Sequence, residues 1–179
     1  GLARLPGTRE EVRISAILTG VGERGTTFGE AFTLEALRRA DLGSSRIIHL
    51  ATHALLPGEL SCVQEPSIVV SPARGAPDAS SAFLRATDVL NFRLDADLII
   101  LSACNTAGPA SGGPGSAANA GEALSGLARS FFFAGARGLL VTHWPAVDQA
   151  AAITVADMMR RQAGGRDSAA ALRGAQLLL

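Results

Sequence analysis

Two segments of this chain carry residues whose types suit covalent chemistry. Asp97-Leu98-Ile99-Ile100-Leu101-Ser102-Ala103-Cys104-Asn105-Thr106 runs four large aliphatics towards a cysteine and then into a stretch rich in Gly, Ala, Ser, Pro and Asn. Arg46-Ile47-Ile48-His49-Leu50-Ala51-Thr52-His53 rises in the same way and stops at a histidine. Each apolar run suits a buried strand, and open α/β sheets bind ligands beyond the carboxyl ends of their strands. As parallel neighbours, the two strands would bring His53 and Cys104 to one edge of the sheet. The chemistry is that of a Cys/His dyad. A free thiol with pKa near 8.5 is only about 3% thiolate at pH 7, and a nearby imidazolium favours the anion.

Other roles for these residues are weaker. Cys104 alone would suit a buried small hydrophobe, since cysteine is among the most buried residue types. Its position at a strand end, followed by a loop, favours a nucleophile. His49 shares the face parity of His53 but sits deeper in the strand and reads as structural. The spacing of His49 and His53 would suit a metal pair on a helix, but the segment reads as strand and the Glu of a metalloprotease helix is absent, so no metal and no cofactor is expected. Cys62 lies in a loop without a partner histidine and reads as incidental. Trp144 reads as a structural anchor, and Glu122 as a residue that favours a helix N-terminus.

Thr8-Arg9-Glu10-Glu11 has capping-box spacing and predicts a first helix through Val12, Ile14, Ala16, Ile17 and Leu18. After the glycine-rich turn 20–25, Phe32, Leu34, Leu37 and Ala40 fall near helical spacing and lead to the His53 strand. Ser67 to Ser71 is a shorter strand stopped by Pro72, Arg74 to Ser81 is loop composition, and Thr87-Asp88-Val89-Leu90 opens a short helical turn. Residues 105–120 are almost entirely Gly, Ala, Ser, Pro and Asn, a composition that predicts a mobile loop. Leu124, Leu127, Ala128, Phe131 and Phe132 make an apolar helix face ended by Gly135. Gly138 to Thr142 is another buried strand, followed by helices from about Gln149 to Gln162 and after Asp167. The alternation predicts an α/β sandwich, with a mostly parallel central sheet flanked by helices.

Composition narrows the function. The 179 residues fit one domain, and 47% hydrophobic with 18% charged residues is an ordinary globular balance. Sixteen basic and sixteen acidic residues cancel, and no basic run is interleaved with aromatics, so neither nucleic acid nor a membrane is expected as a direct partner. Every basic residue is arginine and tyrosine is absent, which reads as the coding bias of a GC-rich, bacterial genome. Two cysteines without a disulfide framework point to the cytoplasm. No apolar stretch reaches the roughly 18 residues that span a bilayer. A start at Gly1 and an end at Leu177-Leu178-Leu179 read as a domain cut from a longer protein. No GxGxxG, Walker or EF-hand pattern appears.

Five motifs, in order, carry a family resemblance: Leu5-Pro6-Gly7-Thr8, His49-Leu50-Ala51-Thr52-His53, Leu101-Ser102-Ala103-Cys104-Asn105-Thr106, Gly121 to Arg129, and Trp144-Pro145-Ala146-Val147-Asp148. Together they make the chain resemble the CHAT family of caspase-like cysteine peptidases, related to separases and caspases, over nearly its whole length. The resemblance implies a caspase-like fold and cleavage of a protein or peptide substrate after a selected P1 residue. It makes Cys104 the nucleophile and His53 the residue that manages protons. The backbone N–H groups of Cys104 and Ala54 would form the oxyanion hole, and Ser102 and Asp148 would line the P1 pocket, where an inward Asp148 would select Arg or Lys. By analogy with caspases, the 105–120 loop would order when substrate or a regulator engages. Regulation would come from tetratricopeptide repeats or a sensor domain, in cis or in trans, in bacterial signalling or antiphage defence.

Two positions depart from the family pattern. Ala54 stands where glycine is usual; it keeps the N–H but adds a methyl group and loses the φ > 0 conformations open to glycine. His143 replaces a small polar residue and would narrow the pocket. Both support the alternative of a catalytically silent interaction module that keeps the fold. A weaker third reading is a cysteine hydrolase acting on a small amide.

Overall fold

A computed structural model describes residues 2, 4–76, 79–102, 126–141 and 148–178. In chain order the helices are α1 (Gly7–Leu18), α2 (Leu34–Arg39), α3 (Ala86–Val89), α4 (126–134), α5 (Asp148–Ala163) and α6 (Ser168–Gln176). The strands are β1 (Ile47–Ala51), β2 (Ala54–Leu55), β3 (Ser67–Val69), β4 (Phe83–Arg85), β5 (Leu98–Ser102) and β6 (Leu139–Val141). The chain divides into two units, Gly1–Thr27 with Ala146–Leu179, and Phe28–Pro145.

The larger unit is built on a parallel sheet in the order β1-β5-β6. Ile47 pairs with Leu98 and Ala51 with Ser102, while Ile99 pairs with Leu139 and Leu101 with Val141. All five residues of β5 are buried, as a central parallel strand requires. Strand alternation sends Ile48, Leu50, Ile99 and Leu101 into one core with Leu37 of α2, Val89 of α3, and Leu127, Phe131 and Ala134 of α4. The sheet is thus parallel and flanked by helices, as the alternation of apolar runs predicts.

Three expectations are corrected in detail. The capping box at Thr8 does not form: Pro6 is the N-cap, and the Thr8 hydroxyl donates back to the Leu5 carbonyl at 2.7 Å. Phe132 does not belong to the buried face of α4; it is 49% exposed, because three successive phenylalanines cannot share one helical stripe and only Phe131 falls on the i, i+4, i+7 line with Leu127 and Ala134. β6 is half-buried along its length rather than a buried strand.

In a second sheet, antiparallel in the order β2-β3-β4, only the middle strand is legible in the sequence, as the Ser67 to Ser71 run, of which Ser67–Val69 forms β3. The outer strands β2 and β4 are two and three residues long, too short for periodicity to register. One face sends Ile68 and Leu84 into the main core, and the other packs Leu55 and Phe83 with Val63. The small sheet is therefore held to the large one through shared core side chains.

At the opposite end of the parallel sheet from its carboxyl edge, Asp97 receives Arg46 Nε at 2.6 Å and Arg137 Nη1 at 3.1 Å. These arginines precede β1 and β6, so one carboxylate ties the entries of all three strands. The Arg46 hydrogen bond, opposed by partial desolvation and assisted by both guanidinium charges, holds the Asp97 carboxyl below its ordinary pKa. A depressed folded-state pKa contributes stability above the unfolded pKa, near pH 4, and loses it as the pH falls through the folded value. Denaturant titrations of Asp97→Asn should therefore show a midpoint below wild type at pH 7, with the gap closing as the pH falls below the ordinary carboxylate range. Because the groups are exposed, the gap should also shrink in high salt.

In the smaller unit α5 packs against both α1 and α6. The Asp167 carboxylate caps α6 by accepting from Ala170 N–H at 2.9 Å, and Arg161 pairs with Asp157 one turn back at 2.5 Å. Among the described residues, no helix is long and apolar enough to cross a membrane.

Candidate active site

The parallel pairing of β1 with β5 sets the site. The ladder runs to the last residue of each strand, Ala51 opposite Ser102, and continues one step further, where Thr52 N–H donates to the Ser102 carbonyl at 3.1 Å. The chain then bends at Thr52 and delivers His53 off the carboxyl end of β1. His53 is half-buried, with Nδ1 shielded from solvent.

The antiparallel sheet fixes the path of the chain beyond this bend. Val69 N–H donates to the His53 carbonyl at 2.8 Å, and the Thr52 hydroxyl donates to the Val69 carbonyl at 2.9 Å. Ala54 is opposite Ile68 and Leu55 opposite Ser67. In an antiparallel ladder, hydrogen-bonded and non-hydrogen-bonded pairs alternate. With the Val69 to His53 bond in place, the Ala54–Ile68 pair falls in the non-hydrogen-bonded class, so the Ala54 N–H is directed away from β3. Ala54 is 3% exposed and lies in extended β2, and no described non-glycine residue has positive φ. An alanine methyl costs no backbone strain there, and the freedom that glycine would bring is not needed.

Ser102 closes β5 and is 6% exposed. In parallel register it shares a face with Ala51, Ile100 and His49, opposite the face that carries Ile99 and Leu101 into the main core. His49 is half-buried in the middle of β1. Asp148 is the first residue of α5, in the smaller unit, and its side chain lies outside the described residues. Cys104, Glu122, His143, Trp144 and the 105–120 loop also lie outside them. Cys62 is exposed. Among the described residues, no group of three or more His, Cys, Asp or Glu side chains gathers in a way that could hold a metal ion.

Thr52 is the residue that the sequence does not single out. A hydroxyl immediately before a histidine at the end of an apolar strand is the available signal, and only the second sheet gives it an acceptor.

A parallel sheet whose first strand leads to a histidine beside the strand that leads to a cysteine, with helices packed on it, is a caspase-like α/β architecture. A family model for the CHAT domain matches residues 1–179, and the chain belongs to the CHAT-domain family, which is related to the caspase-like peptidases. No curated protein and no solved structure matches the chain.

Proposed function

We propose that the chain is a cysteine endopeptidase domain using His53 and Cys104. The observation that supports this most is the β1–β5 register, in which Ala51 faces Ser102 and Thr52 N–H reaches the Ser102 carbonyl. Cys104 follows Ser102 by two residues, a reach of at most about 7 Å of chain. His53 follows Ala51 by the same number, so the reacting groups have little contour in which to separate.

In the proposed mechanism the Cys104 thiolate attacks the carbonyl carbon of the scissile peptide. The oxyanion is held by the N–H groups of Cys104 and Ala54, and the direction of the Ala54 N–H, away from the β3 ladder, leaves it available for this. His53 protonates the leaving amine as the C–N bond breaks, giving a thioester on Cys104. Water, losing a proton to His53, then releases the acid product and restores the thiol pair. Each oxyanion donor is worth about 100 to 1000-fold in rate.

Ser102, buried at the end of β5, and Asp148, at the start of α5, are proposed to line the P1 pocket. A buried carboxylate without a cation is costly, so an inward Asp148 favours Arg or Lys at P1. We place the protein in the bacterial cytoplasm as a single regulated domain, controlled by tetratricopeptide repeats or a sensor domain in a signalling or antiphage pathway, because an unregulated peptidase would damage its own cell.

A diverse peptide library incubated with the chain under reducing, metal-free conditions, and read by mass spectrometry, tests both activity and P1. The expected result is a set of cuts that share Arg or Lys at P1, with Asp148→Asn losing that preference by about tenfold or more while still cutting. Cuts scattered over unrelated P1 residues, or a preference unchanged in Asp148→Asn, would contradict the pocket assignment.

A further inference from the structure

We propose that Thr52 is a positioning residue for His53, an inference that rests on the dyad reading above. Two strands of different sheets meet at this threonine. Its N–H donates to the Ser102 carbonyl at 3.1 Å, on the strand that leads to Cys104. Its hydroxyl donates to the Val69 carbonyl at 2.9 Å, on the antiparallel sheet. Val69 N–H returns a bond to the His53 carbonyl at 2.8 Å. The peptide that carries His53 is thus held between the end of β5 and the middle of the small sheet.

The hydroxyl has a specific task in this arrangement. In an unbroken antiparallel ladder, a residue opposite Val69 would both accept from its N–H and donate its own N–H to the Val69 carbonyl. His53 accepts, but the chain bends at Thr52 on leaving the parallel sheet, and the Thr52 side chain supplies the second bond in place of a backbone donor. The hydroxyl lets the chain turn between two sheets without leaving the Val69 carbonyl unsatisfied. It also fixes how far His53 stands from the end of β5. The threonine is half-buried, so water can replace the hydroxyl only in part.

A displacement of a proton-transfer group by about 1 Å costs on the order of 100-fold in rate. A residue that acts only through His53 should move kcat more than KM, since the substrate cleft itself is untouched. Thr52→Val keeps the β-branched shape and removes the donor; Thr52→Ser keeps the donor and removes the methyl. The expected result is a kcat about 10 to 100-fold lower in Thr52→Val, with KM within about threefold, and recovery to within about threefold of wild type in Thr52→Ser. The pH profile of Cys104 alkylation should shift in Thr52→Val and overlay wild type in Thr52→Ser. Thermal melts of both accompany the kinetics, and if Thr52→Val does not fold, Thr52→Ala compared with Thr52→Ser carries the same contrast.

The outcomes separate the two claims. Wild-type cleavage with an unchanged kcat and alkylation profile in Thr52→Val overturns the positioning role and leaves the dyad intact. Equal losses in Thr52→Val and Thr52→Ser also overturn it, since they would mean shape rather than the hydroxyl. A wild-type chain that neither cleaves peptides nor alkylates at Cys104 faster than at Cys62 overturns the dyad reading, and the role of Thr52 with it.

Discussion

Cys104→Ala should abolish peptide cleavage, with a fall in kcat of at least about 1000-fold, and His53→Ala should lower it by about 100-fold or more. The asymmetry follows from the chemistry. Without Cys104 no thioester can form and no other side chain at the end of β5 replaces a thiolate; Ser102, two residues earlier, is buried and not a nucleophile of comparable strength. Without His53 the thiol can still ionise to a few per cent at neutral pH, but the leaving amine must depart without a proton donor. Because dyad members act as a unit, Cys104→Ala combined with His53→Ala should be no slower than Cys104→Ala alone. His49→Ala, deeper in β1, should alter stability more than rate. Progress curves for a single fluorogenic peptide across these variants, with a thermal melt of His49→Ala, check all four expectations.

The largest effect on stability is expected at Gly135. This residue ends α4 at φ +115°, with its N–H donating to the Phe132 carbonyl at 3.1 Å and Ala136 N–H donating to the Phe131 carbonyl at 3.0 Å, the bond pair of a Schellman cap. A Cβ at this position would stand 2.0 Å from the Leu94 carbonyl oxygen. That oxygen is backbone and cannot rotate away, and Leu94 N–H is itself bonded to the Ala134 carbonyl at 2.7 Å. Gly135→Ala therefore strains the cap and separates α4 from the segment that enters β5, for a cost of about 2–4 kcal/mol. Gly75 has φ +80° but open space around it, so Gly75→Ala carries only the dihedral strain, about 1 kcal/mol. Urea midpoints for the two variants, at unchanged slope, should rank Gly135→Ala well below Gly75→Ala. Equal midpoints would mean that the Leu94 contact yields.

Much of the larger unit is legible because its strands announce themselves. Ile47 to Ala51 and Leu98 to Ser102 are apolar runs bounded by Arg46 and Asp97 at one end and by His53 and a glycine-rich stretch at the other. Those boundaries identify both strands and the end at which chemistry belongs. Gly135 marks the end of α4 for a physical reason, since only glycine enters its φ freely. The outer strands of the small sheet are hidden because Ala54-Leu55 and Phe83-Leu84-Arg85 are shorter than any period they could display. Two consequences attend this. The Ser67 to Ser71 strand can be read, but without β2 nothing places it beside Thr52 as an acceptor, and Ala54 looks like a handicap, whereas the register with β3 gives its N–H a free direction and its φ needs no glycine. Phe132 misleads because hydrophobicity alone does not say whether three adjacent rings can face one way on a helix. The nucleophile is named from its strand-end position and its motif, and Cys104 lies outside the described residues.

The proposed chemistry stands or falls on Cys104 being an activated thiol, which competitive labelling reads out without needing a substrate. A peptide-like electrophile at limiting concentration, offered to the reduced chain, meets two thiols, of which Cys62 is exposed and serves as an internal reference. Peptide mapping by mass spectrometry then reports the label on each. Label on Cys104 is expected at least about tenfold ahead of Cys62, falling to parity or below in His53→Ala. Label on Cys62 alone, or a Cys104 rate indifferent to His53, would contradict the dyad.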